Sequence, residues 1–122
     1  MVIFLDTYAI IEIDKGNIDY KKYILNPLAV ITTIFNIVEV YFVYLKLYNK
    51  QEAERIYGII KSINIEVDDI ILKEAMEFKL ANEKMRFSFA DCIGYISALR
   101  YKAKFLTGDF AFKNLGNVEF VK

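Results

Sequence analysis

"RFSFADCIGYISAL", residues 86–99, is almost wholly apolar after its first residue, yet it carries one carboxylate, Asp91. It reads as a helix over about residues 89–101, followed by a strand in "AKFLTGD", residues 103–109. That order decides the fold. A helix that precedes a parallel strand runs back against it, so it begins at the strand's carboxyl edge and brings Asp91 there. Burying an ionised carboxylate without a partner costs on the order of several kcal/mol. Asp91 therefore calls for a cap, a cation or both.

Outward from this stretch, "VIFL", residues 2–5, reads as a short buried strand. A helix is expected over about residues 8–14, ended by Gly16, and a second short helix in "DYKKYIL", residues 19–25. Pro27 breaks the chain, and "LAVITT", residues 28–33, has the β-branched content of a second strand. A long helix follows over about residues 35–47. "KQEAERIYGIIKSI", residues 50–63, is amphipathic, with Ala53, Ile56, Tyr57, Ile60 and Ile63 on one side. "INIEV", residues 63–67, reads as a third strand, and "DDIILKEAMEFKLANEK", residues 68–84, as a helix with an aspartate cap. "VEFV", residues 118–121, closes the series as a fifth strand. Strands alternating with helices predict an α/β fold in three layers, with a mostly parallel central sheet and helices on both faces. The expected strand order is about 3-2-1-4-5, with a crevice at the strands' carboxyl ends, in one domain spanning residues 1–122.

Composition narrows the function. The chain has 122 residues, 56% of them hydrophobic, enough for a buried core. Sixteen basic and sixteen acidic residues cancel, so tight non-specific nucleic-acid binding by overall charge is not expected, although a local basic patch suffices for contact. There is no histidine, which excludes a histidine base or triad, and the single cysteine, Cys92, is read as core packing. No disulfide or multi-cysteine zinc site is possible within this chain. The apolar run at residues 28–45 approaches the length of a membrane span, but Asn36 and Glu39 lie near its middle, and a strand plus a buried helix explains it better. No leader pattern is seen at "MVIFLD", residues 1–6, so no membrane association and a cytoplasmic location are expected.

Four acidic residues have unusual settings. Asp6 follows strand one and Asp109 follows strand four. Glu39 lies early in the helix after strand two, and Asp91 opens the helix before strand four. Connectivity alone brings all four to the carboxyl edge of the sheet. Each also has a local reading: Asp6 as a helix cap, Ser88–Asp91 and Asn36–Glu39 as capping-box patterns, Asp109 as turn chemistry after Gly108. Clustered carboxylates stay ionised together only beside compensating positive charge. A hard divalent cation, Mg²⁺ or Mn²⁺, supplies it through oxygen ligands, and such a site suits phosphodiester hydrolysis.

The ordered set "FLDTYAII", "TTIFNIVEV", "SFADCIGYISA" and "FLTGDFAF" resembles the PIN domain, and within it the VapC-type ribonuclease toxins. The resemblance covers nearly the whole chain. It implies a parallel sheet wrapped by helices, RNA cleavage by an acidic cluster with Mg²⁺ or Mn²⁺, a homodimer, and a small antitoxin that covers the active-site groove. Carried over by position, Asp6, Glu39, Asp91 and Asp109 match the family's acidic residues and Thr107 a supporting hydroxyl. Asp6 and Asp91 are then the direct metal ligands, Glu39 and Asp109 hold and orient water, and water is the nucleophile.

Two positions depart from the family pattern. Tyr8 stands where a small polar residue is common, and Gly108 where asparagine is frequent. Tyr8 is read as packing in preference to base stacking. Lys84 and Arg86 are read as phosphate contacts or solvated loop charges, and residues 46–55 with Tyr44 as an interface or a core helix with a charged outer face. A non-catalytic PIN-fold module that binds RNA or protein is the alternative function; a phosphoacceptor domain fits the order of the acidic positions poorly.

Overall fold

The structure is a computed structural model that describes residues 1–25 and 29–122. The elements are β1 (Val2–Leu5), α1 (Thr7–Asp14), α2 (Lys22–Leu25), β2 (Ala29–Ile31), α3 (Ile34–Leu47), α4 (Lys50–Ile60), α5 (Asp69–Ala81), α6 (Phe89–Arg100), β3 (Ala103–Thr107) and β4 (Val118–Phe120). The expected helix at residues 19–25 is divided, a 3-10 turn at Ile18–Tyr20 preceding α2. The chain break assigned to Pro27, and Leu28 at the expected start of strand two, lie outside the described residues.

Among the described residues the sheet has four strands, all parallel, in the order β2-β1-β3-β4. β1 is central, with Phe4 opposite Ile31 on one side and Phe105 on the other. The expected third strand is the one departure. "INIEV" makes a single parallel bridge, Thr32 to Asn64, beside the β2 edge. The Thr32 N–H donates to the Ile63 carbonyl and the Ile65 N–H to the Thr32 carbonyl. On the β2 side the ladder stops there because the next residue, Thr33, already caps α3. The expected order 3-2-1-4-5 thus survives with its outermost strand reduced to one pair.

Alternation along the strands sorts the core into two layers. Ile3, Leu5 and Leu106 pack with α1, α3 and α4 through Ile10, Ile37, Val40 and Ile56. Phe4 and Phe105 point the other way, into Ile71 and Ala75 of α5 and Cys92, Ile93 and Ile96 of α6. Their rings stack at 5.5 Å. Cys92 is fully buried in this layer, and burial pushes its thiol up to about 11, as suits a packing residue rather than a reactive one. Along α4, Ala53, Ile56 and Ile60 are buried as the sequence pattern requires. Among the described residues no helix is long and apolar enough to cross a membrane.

The two layers meet closely where α6 crosses β1 and α3. A Cβ at Gly94 would lie 3.0 Å from the Phe4 ring and 3.1 Å from Asn36 Oδ1. Both neighbours are fully buried, and Asn36 is held by the Thr33 hydroxyl. Gly94→Ala therefore overpacks this crossing by more than its gain in helix propensity, about 1 kcal/mol. The expected result is a net loss of about 1–3 kcal/mol, read as a lower urea midpoint at unchanged slope. A variant as stable as the parent would show that the crossing has slack.

Candidate functional site

Asp6 leaves β1 and immediately caps α1, its Oδ1 accepting the Ala9 N–H at 2.7 Å. The Asp6 N–H donates to the Leu106 carbonyl, which ties the residue to β3 as well. Only 3% of Asp6 is exposed. Burial raises its pKa to about 7; hydrogen bonds from Thr107 and Ala9 oppose the rise, and the charges of Asp91 and Asp109 add to it.

Asp91 forms a capping box with Ser88 at the start of α6. Its Oδ2 accepts the Ser88 N–H at 2.9 Å, and its own N–H donates to Ser88 Oγ at 3.0 Å. Burial again raises its pKa, with Glu39 and Asp109 contributing and the Ser88 backbone bond opposing. Asp109 caps the short 3-10 turn Phe110–Phe112, its Oδ1 accepting the Ala111 N–H at 3.0 Å. The Asp109 N–H in turn donates to Thr107 Oγ1 at 3.0 Å. The local readings of these aspartates hold together with their shared position. One oxygen of each is tied to a backbone N–H, and lone pairs remain for other partners, in Asp6 the Thr107 hydroxyl among them.

The local reading of Glu39 does not hold. Thr33, not Asn36, caps α3, accepting the Asn36 N–H at 3.2 Å, so Asn36 lies inside the first turn and Glu39 beyond it. Glu39 is instead held by side chains. The Thr7 hydroxyl donates to its Oε1 at 2.5 Å and the Ser88 hydroxyl to its Oε2 at 3.4 Å. Asn36, fully buried, donates from Nδ2 to Thr7 Oγ1 at 3.3 Å. The chain Thr33–Asn36–Thr7–Glu39–Ser88–Asp91 thus links three helix starts. Thr7 and Thr33 are positioning residues that the sequence reading passed over, Thr33 being signalled only by the paired threonines of "TTIFN", while Asn36 and Ser88, read there as caps, also help to hold Glu39.

Asp6, Glu39, Asp91 and Asp109 line one cavity of about 480 Å³, together with Thr7, Tyr8, Ser88, Phe110 and Lys122. Thr107 is fully buried beneath it, behind Asp6. Lys84 and Arg86 are exposed and are not among the lining residues. The amino ends of α1 and α6 are turned towards the carboxylates that cap them, a favourable placement for negative charge. Among the described residues, no three acidic, cysteine or histidine side chains form a ready-made metal-binding group. The acidic lining is nevertheless all oxygen, electrostatically coupled and short of positive charge, which fits a hard cation that keeps part of its water shell.

A parallel sheet between helical layers, with acidic residues gathered at the carboxyl ends of its strands, defines an α/β domain with a crevice at the switch between β1 and β3. Residues 3–118 match the family profile described as PIN domain, and the chain belongs to that family. Among curated proteins no sequence matches. Among solved structures the chain is similar to Mycobacterium tuberculosis VapC20, a sarcin-ricin loop cleaving toxin, with a TM-score of 0.78 at 19% identity over 98% of this chain and 96% of that one. VapBC2 from Rickettsia felis, bound to a DNA fragment from its promoter, gives 0.74 at 16% identity over 99% and 98%. A toxin–antitoxin complex from Klebsiella pneumoniae gives 0.72 at 15% identity over 96% and 95%. At these identities the likeness is one of fold.

The burial of Asp6 has a measurable consequence. Its proton is held more tightly in the folded chain than in the unfolded one, so stability falls as pH rises from about 4 to 7 and the loss is complete above that window. Asparagine removes the charge and still caps the helix. In chelator at pH 8, Asp6→Asn should melt higher than the parent by about 5 °C or more, with the difference vanishing near pH 4. Equal melting temperatures at both pH values would contradict the burial cost.

Proposed function

We propose that this PIN-domain protein is a metal-dependent endoribonuclease and the toxin of a toxin–antitoxin pair. The observation that carries the reading is the meeting of Asp6, Glu39, Asp91 and Asp109 from four separate segments on one cavity, each held by backbone or side-chain donors. Family membership and the structural likeness to VapC20, a toxin that cleaves the sarcin-ricin loop, support it. The Rickettsia and Klebsiella toxin–antitoxin structures support a small antitoxin as partner. A homodimer and a cytoplasmic setting, where RNA is met, complete the proposal.

In this reading Asp6 and Asp91 would hold Mg²⁺ or Mn²⁺ directly. Bound there, the ion supplies charge stabilisation to a phosphoryl oxygen and lowers the pKa of water. Glu39 and Asp109, which line the same cavity, would orient water there. Glu39 is suited to this because the Thr7 and Ser88 hydroxyls fix its plane. Thr107 donates to the Asp6 carboxylate and so favours its ionised form against the effect of burial. Water attacks phosphorus, the bond from phosphorus to the leaving ribose oxygen breaks, and that oxygen departs with a proton.

The test is cleavage of RNA by the purified chain in Mg²⁺ or Mn²⁺. Activity should disappear with chelator and fall at least about 100-fold in Asp91→Asn, which keeps a cap acceptor and hence the fold. If a folded Asp91→Asn protein cuts at the parent rate, the assignment fails. If the parent binds RNA but cuts none under any divalent ion, the non-catalytic reading replaces it.

A further inference from the structure

One aromatic at the cavity is not explained by packing. Phe110 directly follows Asp109, lines the same cavity as the carboxylates, and is 59% exposed. It is not a loose surface side chain. Its ring is backed by Phe120 at 5.2 Å, and the turn that bears it is pinned by the Asp109 cap. Lys122 Nζ stands 4.8 Å from the ring centroid and Lys113 Nζ 5.7 Å. Among the described residues Lys122 is the one cation that lines the cavity.

Tyr8, the aromatic that the sequence pointed to, is differently placed. A Cβ at Gly108 would fall 2.2 Å from its Cε1 and 2.5 Å from the Val121 carbonyl oxygen, so the Tyr8 ring fills the space that a side chain at 108 would occupy. The two departures from the family pattern are therefore one steric arrangement: the large ring at 8 requires glycine at 108. Tyr8 forms a fixed wall, with Lys122 Nζ 5.3 Å from its ring centroid, and leaves the open aromatic face to Phe110.

We propose that Phe110 is a stacking platform for an unpaired nucleobase beside the scissile phosphate, with Lys122 as the phosphate contact, so that the substrate is RNA that is single-stranded or has an extruded base at the cut. The inference deepens the ribonuclease reading and rests on it. An exposed aromatic ring next to a lysine is the combination that grips single strands, because every unpaired base offers a π-face and every linkage a negative charge. A base inside a duplex has both faces covered by its neighbours and offers Phe110 nothing. The ammonium of Lys122 lies over the ring in the free protein and is placed to move to a phosphate when a base takes its position.

The experiment uses a single-stranded RNA octamer of mixed sequence carrying one 2-aminopurine, the same octamer annealed to its complement, and Ca²⁺ in place of Mg²⁺ or Mn²⁺. The parent should bind the single strand at least tenfold tighter than the duplex and quench the 2-aminopurine. Phe110→Ala should bind the single strand about tenfold more weakly with the quenching lost, and Phe110→Trp should restore both. Phe110→Ala loses its contact with Phe120, so its melting temperature should fall by only a few degrees, and Phe110→Trp should keep the parent value. Equal affinity of Phe110→Ala and the parent overturns the proposal, and is the result expected if Phe110 serves a protein partner instead. Equal affinity for duplex and single strand overturns it too. Changing to Mn²⁺ separates the two readings: a parent that stacks the base without cutting upholds this subsite and refutes the nuclease, whereas a parent and a Phe110→Ala protein that cut with the same KM refute the subsite alone.

Discussion

The hydrogen bond from a backbone N–H at the start of a helical turn to one oxygen of an aspartate is the interaction on which the site depends. It occurs at Asp6, Asp91 and Asp109. Such a bond fixes the plane of the carboxylate, offsets part of its negative charge, and leaves lone pairs for further partners. Capping and the shared placement of these carboxylates are therefore the same act. The carboxylates stand in one cavity because the parallel sheet delivers the amino ends of α1 and α6, and the turn after β3, to a single edge.

Glu39 is held by a different device. It sits beyond the first turn of α3, where no free N–H remains to receive it, and the hydroxyls of Thr7 and Ser88 take over. Through Asn36 and Ser88 the Glu39 carboxylate is coupled to the caps of α3 and α6. Burial is the main cause of the raised pKa values of Asp6 and Asp91, and the neighbouring carboxylates in the cavity add to it. A site that costs stability when empty is the expected counterpart of one that serves chemistry when filled.

Much of this was legible in the sequence. Apolar runs such as "VIFL" marked the central strands, and alternation with helices placed Asp6, Glu39, Asp91 and Asp109 on one edge before any coordinate was known. The capping box of Ser88 and Asp91 was visible from its spacing. Three features were not legible. In "TTIFN" two residues compete to cap α3, and the pattern beginning at Asn36 pointed away from Thr33. "INIEV" has the composition of a strand, but the β2 edge it pairs with turns into the cap of α3 at Thr33 after one pair. The open face of Phe110 and the contact of Tyr8 with Gly108 depend on what long-range packing covers, which no local pattern encodes.

Anomalous diffraction from a crystal soaked in Mn²⁺ tests the central claim most directly. The account predicts a manganese peak inside the cavity, bonded to Asp6 and Asp91 through the oxygens that do not receive the Ala9 and Ser88 N–H groups, with both caps intact. A peak elsewhere on the molecule, or an ion bound only after the caps are broken, would contradict it.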